Sequence, residues 1–281
     1  MNEFIKIVLL FFIYSFIGWL WETVYCSLKA GKFVYRGFLV GPYCPIYGFG
    51  ILGVLYFLEP LRQNIVVLYL LSTILVTILE YITSYGLEKL FHASWWDYKD
   101  VPLNINGRVA LPVSLFWGIG CVLIVRVIHP KVMMLEHVLS EKFGLILPIA
   151  LLVIIISDLI YTLVNMQSFR KATAQISTAV EERKQELAAA LTEKRDELSA
   201  NFSELKESVS EEINERKQTK TAERISWIEE FKETPAIKKI VAHMNFNQNR
   251  WVRNYPNLKL KNLKNSSEVQ QIIKKNKKDV N

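Results

Sequence analysis

The chain has 281 residues, of which 51% are hydrophobic and 22% charged, and its formal net charge at pH 7 is +7. Apolar residues dominate up to about residue 168 and charged residues dominate after it, which argues against a uniform soluble domain and for two kinds of domain. The three cysteines, Cys26, Cys44 and Cys121, form no CxxC or Cys/His cluster, which argues against a zinc site or a disulfide framework.

Five apolar segments follow one another in the first part of the chain. Roughly 20 apolar residues in a helix cross a bilayer core. The predicted spans are Phe4–Ser27, Ile46–Leu58, Ile65–Leu87, Leu111–Ile128 and Gly144–Met166, of which the second is short. The first lacks the small-residue cleavage site of a signal peptide, so we expect it to be retained. We therefore predict an all-α fold, a polytopic transmembrane helix bundle followed by a long cytoplasmic amphipathic or coiled-coil-like helix.

The segment Phe33–Pro45 contains two glycines and two prolines, which interrupt regular helix and favour a re-entrant segment. Non-helical backbone at membrane depth is tolerated where it is buried in protein or lines water. Lys and Arg are more frequent in the short loops on the side that also holds the start of the tail, and the positive-inside rule assigns that side to the cytoplasm. The expected location is the cell membrane, multi-pass, with a cytoplasmic tail.

The tail begins with an eleven-residue repeat, which corresponds to about 3.67 residues per helical turn. One series comprises Ile176, Leu187, Leu198 and Val209, and a second comprises Val180, Leu191, Phe202 and Ile213. The pattern predicts a long helix from about Ser168 to Glu233, stopped by Pro235. We expect a homo-oligomer or a partner helix along this stripe, because its nearly equal acids and bases disfavour lying flat on lipid. The predicted domains are a transmembrane domain (1–168), the long helix (169–234) and a basic tail (235–281).

Bases outnumber acids in the basic tail, which would suit anionic lipid, RNA or simple solvation. The run from Arg250 to Tyr255 interleaves bases with aromatics. Such runs stack on single-stranded nucleic acid or anchor at a membrane interface. We expect no nucleic-acid partner.

The third predicted span carries a polar stripe, formed by Thr73, Thr77, Glu80, Ser84 and Glu88 at helical spacing. Ionisable groups inside spans are costly and mark functional sites by default. Buried charges must also be compensated. The natural counter-charges are Arg36 and Arg108, with Glu22 near the end of the first span. The pairs would fix helix packing, bind a substrate or ion, or take part in catalysis.

The connection after this span contains Trp95-Trp96-Asp97-Tyr98 and then the turn signal Asn106-Gly107. It is either an aromatic anchor in the headgroup layer or a shaped polar site in which Asp97 caps the turn or recognises a cation. The candidate substrate-binding residues are Glu22, Arg36, Glu80, Ser84, Glu88, Trp95, Trp96, Asp97, Tyr98, Asn106 and Arg108.

Two isolated polar groups complete the set of candidates. Cys44 would be a nucleophile only if His92 or a carboxylate served as its partner base, and it is interpreted as an inert buried thiol. Asp158, in the fifth predicted span, would pair with Arg126. The chain contains no GxxxxGK[ST], HExxH, GxSxG or CxxC sequence, so no catalytic residue, metal ligand or cofactor is predicted and an enzyme is disfavoured.

Several sequence blocks occur in an order that resembles a known family. They are GWLWETVY, YRGFLVGPYCPIYGFG, LEYITSYGLEKLF, WWDY and NINGRVALPVSLFWGIG. They resemble the putative ABC-transporter type IV family of bacterial inner-membrane proteins, the CmpB-like permeases, over about residues 10–130. The resemblance implies a transport permease that works with a separate ATPase subunit. The run NRWVRNYPNL is also similar to the end of some members.

Three functions remain open at this point. The first is a permease subunit with a polar intramembrane site near the cytoplasmic face. The second is a membrane-embedded enzyme that acts on a lipid or isoprenoid headgroup. The third is a membrane scaffold that acts through its tail helix. The partners expected in all three include the lipid bilayer.

Overall fold

The computed structural model describes residues 3–201, 227–255, 258–260, 263 and 265–275. The chain divides into two compact units. The first comprises Met1–Met166 and Asn254–Lys259, and the second comprises Gln167–Arg253 and Leu260–Asn281. Helices dominate the described residues and the strands among them are only two residues long, which confirms the all-α fold.

The long elements follow the apolar pattern of the sequence. The helices are α1 (Glu3–Ala30), α2 (Pro45–Leu58), α3 (Ile65–Phe91), α4 (Leu111–Leu123), α5 (His129–Phe143), α6 (Ile146–Asn201), α7 (Pro235–Ala242), α8 (Phe246–Asn254) and α9 (Ser266–Lys275). A 3₁₀ turn, Glu59–Leu61, follows α2, and a π-helical turn, Ile124–Ile128, joins α4 to α5. The strands are β1 (Ala93–Ser94), β2 (Asn104–Ile105), β3 (Val109–Ala110) and β4 (Lys259–Leu260), and β2 pairs antiparallel with β3.

Four helices are long and apolar enough to cross a membrane, by length and composition. They are Glu3–Ala30, Ile65–Phe91, Leu111–Phe143 and Ile146–Ala190, and the shorter apolar helix Pro45–Leu61 corresponds to the short second predicted span. Many large apolar side chains on them are exposed, Tyr56 to 81% and Leu28 to 78%. Such exposure would be costly in water and suits contact with lipid tails.

Helical backbone continues beyond Ile128, the end of the fourth predicted span, where the sequence suggested a loop near Lys131. The chain continues from α4 through the π-helical turn into α5, which has Pro130 in its first turn. Proline has no backbone N–H to donate to the preceding turn. In the wider π turn the His129 N–H donates to the Ile124 carbonyl oxygen, five residues earlier. The helical backbone then continues past Pro130 to Phe143.

Small residues let α1 and α2 approach closely. A side chain at Gly18 would collide with the Tyr47 ring, and one at Gly48 would collide with the Ser15 hydroxyl. The Cys44 backbone N–H donates to the Ser15 carbonyl oxygen at 2.9 Å, just before α2 begins. Close approach through small residues is typical of helix pairs in membranes, because dispersion contacts replace the hydrophobic effect there.

In the second unit, the C-terminal helix α9 covers the first turns of the tail stripe. Ile176 and Val180 on α6 are fully buried. The Asn265 amide, just before α9, donates to the Glu181 carboxylate at 2.8 Å, and Lys184 Nζ lies 2.9 Å from Glu268 Oε1. This part of the stripe is therefore filled by the same chain.

The tail differs from its sequence expectations in two places. Pro235 does not only stop a helix; it begins α7 after the N-cap Thr234, where its missing N–H costs nothing. A solvated terminus is wrong for the described part, because Arg250 and Trp251 are buried and the Trp251 ring packs against Phe169 with centroids 5.6 Å apart. The repeat positions Phe202, Val209 and Ile213, in the predicted long helix, lie outside the described residues.

Glu136 on α5 is a buried acid that stands apart from the sites described below. It is 0% exposed, and neither of its carboxylate oxygens has a hydrogen-bond partner among the described residues. A buried polar group without a hydrogen bond costs roughly 1–3 kcal/mol in proteins, and an apolar side chain of similar volume removes that cost. We expect Glu136→Met to raise the thermal unfolding temperature of the purified protein. Glu141→Met on the same helix, where the acid is 72% exposed, should leave it nearly unchanged, and a lower unfolding temperature for Glu136→Met would contradict the prediction.

Candidate functional site

The end of α1 and the irregular segment after it hold a mostly buried ion pair. Arg36 Nη2 lies 2.6 Å and Nε 3.0 Å from Glu22 Oε1, and the two side chains are 14% and 24% exposed. The Cys44 thiol donates to the other carboxylate oxygen at 3.8 Å. Two guanidinium donors therefore converge on one carboxylate oxygen, which makes the pair a charge-assisted hydrogen bond as well as an ion pair.

The backbone around Arg36 is fixed by α1. The Trp19 indole N–H donates to the Arg36 carbonyl oxygen at 3.0 Å, and the Arg36 backbone N–H donates to the Thr23 hydroxyl at 3.4 Å. The next residue, Gly37, has φ +102°, a conformation that favours glycine. The Arg-Gly dipeptide of the sequence motif thus combines a charge with a turn that another residue would strain.

A short piece of chain more than two hundred residues further on completes this cluster. The Asn254 carbonyl oxygen accepts from Arg36 Nη1 at 2.7 Å, and the Tyr255 ring centroid lies 3.9 Å from the guanidinium carbon. The Tyr255 hydroxyl accepts from the Gly37 N–H at 2.8 Å, and the Asn254 amide donates to the Tyr35 carbonyl oxygen at 2.9 Å. Sequence reasoning treated this run as a surface feature and missed its role here. The similarity of this run to the C-terminal end of some family members was the signal that could have indicated its role.

Glu80 has a neutral partner. The Tyr98 hydroxyl donates to Glu80 Oε1 at 3.1 Å. Burial raises the pKa of the Tyr98 phenol and the Glu80 charge raises it further, so the phenol remains a donor. The charges of Glu22 and Arg36 also act on this phenol, which places the Glu22–Arg36 pair and the Glu80–Tyr98 pair in one electrostatic neighbourhood. The expected pairing of Glu80 with an arginine is wrong.

Glu88 is neutralised by an arginine. Arg108 Nη2 lies 2.7 Å from Glu88 Oε2, and the side chains are 13% and 20% exposed. The Ser84 hydroxyl accepts from Arg108 Nη1 at 3.5 Å, and the guanidinium carbon lies 5.4 Å from the Tyr85 ring centroid. The last two residues of the polar stripe, Ser84 and Glu88, therefore both contact Arg108.

The connection between α3 and α4 is held by its own backbone and side chains. The Trp96 indole N–H donates to the Arg108 carbonyl oxygen at 2.9 Å, and the Tyr98 N–H donates to the Gly107 carbonyl oxygen at 2.8 Å. Asn106 and Gly107 both have positive φ, +55° and +69°, as the turn between β2 and β3 requires. These contacts aim Tyr98 at Glu80 and Arg108 at Glu88.

The side chains of three predicted residues, Trp95, Asp97 and Asn106, support the loop. Trp95 is 5% exposed and its ring packs on Phe38 with centroids 5.2 Å apart, so it is a core residue of this loop. Asp97 Oδ1 accepts from the Lys99 N–H at 3.0 Å, as in an Asx turn. Asn106 donates to the Tyr81 hydroxyl at 3.3 Å.

Asp158 on α6 fixes the irregular segment from the other side. Its carboxylate accepts from the Val40 N–H at 2.9 Å, the Gly41 N–H at 2.7 Å and the Tyr43 hydroxyl at 2.7 Å. The Thr162 hydroxyl, one turn further along α6, donates to it at 3.1 Å. Burial raises the pKa of the Tyr43 phenol and the bond to Asp158 raises it further, so Tyr43 remains a donor.

The expected partner of Asp158 was therefore wrong. Arg126 instead donates to the Arg62 carbonyl oxygen at 2.6 Å. No group of His, Cys, Asp and Glu side chains suited to a metal ion occurs in the described part of the chain. The chemistry that the site offers is charge, hydrogen bonding and aromatic surface.

Long apolar helices around buried polar pairs define the class as an α-helical membrane protein. Residues 9–163 match the family model described as "Putative ABC-transporter type IV". Because the match covers more than half of the chain, the protein belongs to that family. The matched range contains both arginine–glutamate pairs, Glu80, Tyr98 and Asp158. No curated protein and no solved structure matches the chain.

Proposed function

We propose that the protein is the membrane-spanning permease subunit of an ABC-type transporter, in which Glu80 binds the substrate. The supporting observation is a difference among three carboxylates. Glu22 and Glu88 are each paired with an arginine, whereas Glu80 accepts from the neutral Tyr98 and has no cation within ion-pair distance among the described residues. Of these three acids, Glu80 is thus the one that lacks a cation and is left for a ligand. A small cation or another strong hydrogen-bond donor fits it.

The family and the apolar helices support the remaining parts of the proposal. The chain crosses the membrane several times, its tail lies in the cytoplasm, and a separate ATPase subunit supplies the energy because the chain has no P-loop sequence. In this proposal Glu80 and Tyr98 are held in place by the surrounding polar residues of the site, which are Glu22, Arg36, Ser84, Arg108 and Trp96. The part of the predicted 169–234 helix that α9 does not cover is proposed as the contact between copies or with a partner helix.

The ATPase partnership is tested by purifying the full-length protein from its own membranes in mild detergent. We expect a P-loop ATPase to co-purify in a fixed ratio, with vanadate-sensitive ATP hydrolysis in the complex. A preparation that is folded but contains neither would contradict the permease proposal.

The role of Glu80 is tested in that complex, reconstituted in vesicles. A panel of amino acids, polyamines and quaternary amines is screened for stimulation of ATP hydrolysis. Glu80→Gln should raise the half-stimulating concentration of an active solute at least about tenfold, because a bond to a charged group contributes about 1.5–3 kcal/mol. Tyr98→Phe should have a smaller effect of the same kind.

The matched control is Glu59→Gln, since Glu59 lies in the 3₁₀ turn with its side chain 48% exposed. It should behave as the wild type. Equal stimulation of wild type and Glu80→Gln would remove Glu80 from the binding site and leave the ATPase partnership standing.

A further inference from the structure

A concave feature lies in the first unit, and Glu80 is not among the residues that line it. It is a cavity of about 600 Å³ between α1, α5, the start of α6 and the irregular segment. Its walls include Phe12, Phe16, Tyr43, Leu135 and Leu151. Cavities of this size hold small molecules or single chains. Its surface is almost wholly apolar, so a polar occupant would lose its hydrogen bonds to water without replacement.

One cation stands at this cavity. Lys131 on α5 is exposed, and its ammonium group has no hydrogen bond or ion pair with any residue that the structure describes. Arg126, just before α5, donates to the Arg62 carbonyl oxygen at 2.6 Å, and Arg62 lies 3.9 Å from Glu59, so α5 begins at a charged edge of the bundle. A phospholipid has the complementary arrangement. Its acyl chain would fill the apolar pocket, and its charged headgroup would lie at the charged edge.

The aromatic wall of the cavity is held in position. The Tyr43 hydroxyl is bound to Asp158, so it is already used as a donor while its ring lines the cavity. Pro42 continues the same wall. Its volume is roughly that of one helical turn, 5.4 Å of a cylinder about 10–12 Å across, so the pocket suits an acyl chain better than a helix of several turns.

We propose that this cavity binds an acyl chain of an anionic phospholipid from the surrounding bilayer, with the phosphate at Lys131. The ammonium group supplies the charge complementarity, and the apolar walls of α1, α5 and α6 accept the chain. This site is independent of the proposed role of Glu80. It predicts a lipid that is selected by charge, unlike the lipids that merely surround the exposed helix faces.

The headgroup contact is tested on the full-length protein in nanodiscs that contain phosphatidylcholine with a trace of photoactivatable lipid. The probe is either phosphatidylglycerol or phosphatidylcholine with a diazirine in one acyl chain, and cross-links are mapped by mass spectrometry. We expect phosphatidylglycerol to label the cavity segments of α1 and α5 about fivefold more than phosphatidylcholine, as one basic residue near a membrane surface provides. Lys131→Gln should abolish this preference and Lys131→Arg should keep it. Lys142→Gln, on the same helix but outside the cavity, should also keep it.

The chain contact is tested with a matched pair of neighbours. Leu135→Trp places bulk in the cavity and should reduce labelling by both probes there, whereas Met134→Trp, at a position 70% exposed and outside the lining, should not. Equal labelling of the wild-type cavity by the two probes, or unchanged labelling in Leu135→Trp, would overturn the proposal. So would labelling that is displaced by a solute that stimulates ATP hydrolysis or by a second copy of the chain, since the occupant would then be that molecule.

Discussion

Replacing Arg36 by alanine is expected to lower the free energy of unfolding by about 3–5 kcal/mol, because it leaves the mostly buried Glu22 carboxylate without its cation. The same change removes the donor to the Asn254 carbonyl oxygen and the cation stacked on the Tyr255 ring. The measurement is thermal and denaturant unfolding of the purified protein in one detergent, followed by tryptophan fluorescence. Trp19, bonded to the Arg36 carbonyl oxygen, is a local reporter.

The control for this prediction is an exposed pair. Arg62 lies 3.9 Å from Glu59 and both side chains are about half exposed, so Arg62→Ala should cost less than about 1 kcal/mol. The double variant Glu22→Gln/Arg36→Ala should lose less than the sum of the single variants, because it no longer leaves an unpaired charge. Similar losses for Arg36→Ala and Arg62→Ala would contradict the assignment of Arg36 as a buried, structurally required cation.

Asp158→Ala is expected to lower the free energy of unfolding by about 2–4 kcal/mol and to loosen the irregular segment. The carboxylate is the acceptor for two backbone N–H groups and the Tyr43 phenol. Hydrogen bonds to a charged group each contribute about 1.5–3 kcal/mol, and water can replace some of them at this partly buried position. Hydrogen–deuterium exchange of the Val40 and Gly41 amides is the direct measurement and should become faster.

Two variants separate the parts of this effect. Asp158→Asn keeps one acceptor oxygen and should retain part of the protection, whereas Thr162→Val removes only the bond along α6 and should cost about 1 kcal/mol. Unchanged exchange at Val40 and Gly41 in Asp158→Ala would show that other contacts order the segment.

The helices were predictable because each apolar run is long compared with its interruptions. Asn64 caps α3 through its side chain, and Pro45 stands at the start of α2, both as local rules require. The continuation of α4 into α5 was not predictable, because a proline such as Pro130 normally ends a helix. Here the helical backbone continues through a π turn just before it, which no local sequence rule indicates. The domain boundaries at 168 and 234 stay predictions.

The acids and bases of the site were predictable as a set, and their partners only in part. Helical spacing placed Ser84 and Glu88 on one face, where both meet Arg108. Spacing carries no information on which acid meets Arg36, because that depends on how the irregular segment folds back on α1. Tyr255 is more than two hundred residues from Arg36 along the chain, so no local pattern could bring them together. Substrate binding at these residues stays a prediction.

The π-helical turn between α4 and α5 also sets the rotation of everything that follows it. Such a turn amounts to one residue more than an α-helix would use, and one residue corresponds to about 100° around the axis. Removing a single residue from Ile124–Ile128 would turn Val132 and Glu136 away from the buried side of α5 and carry their exposed neighbours toward it. The extra residue thus determines which face of α5 is buried. The burial of Glu136 and the position of Lys131 at the cavity both depend on it.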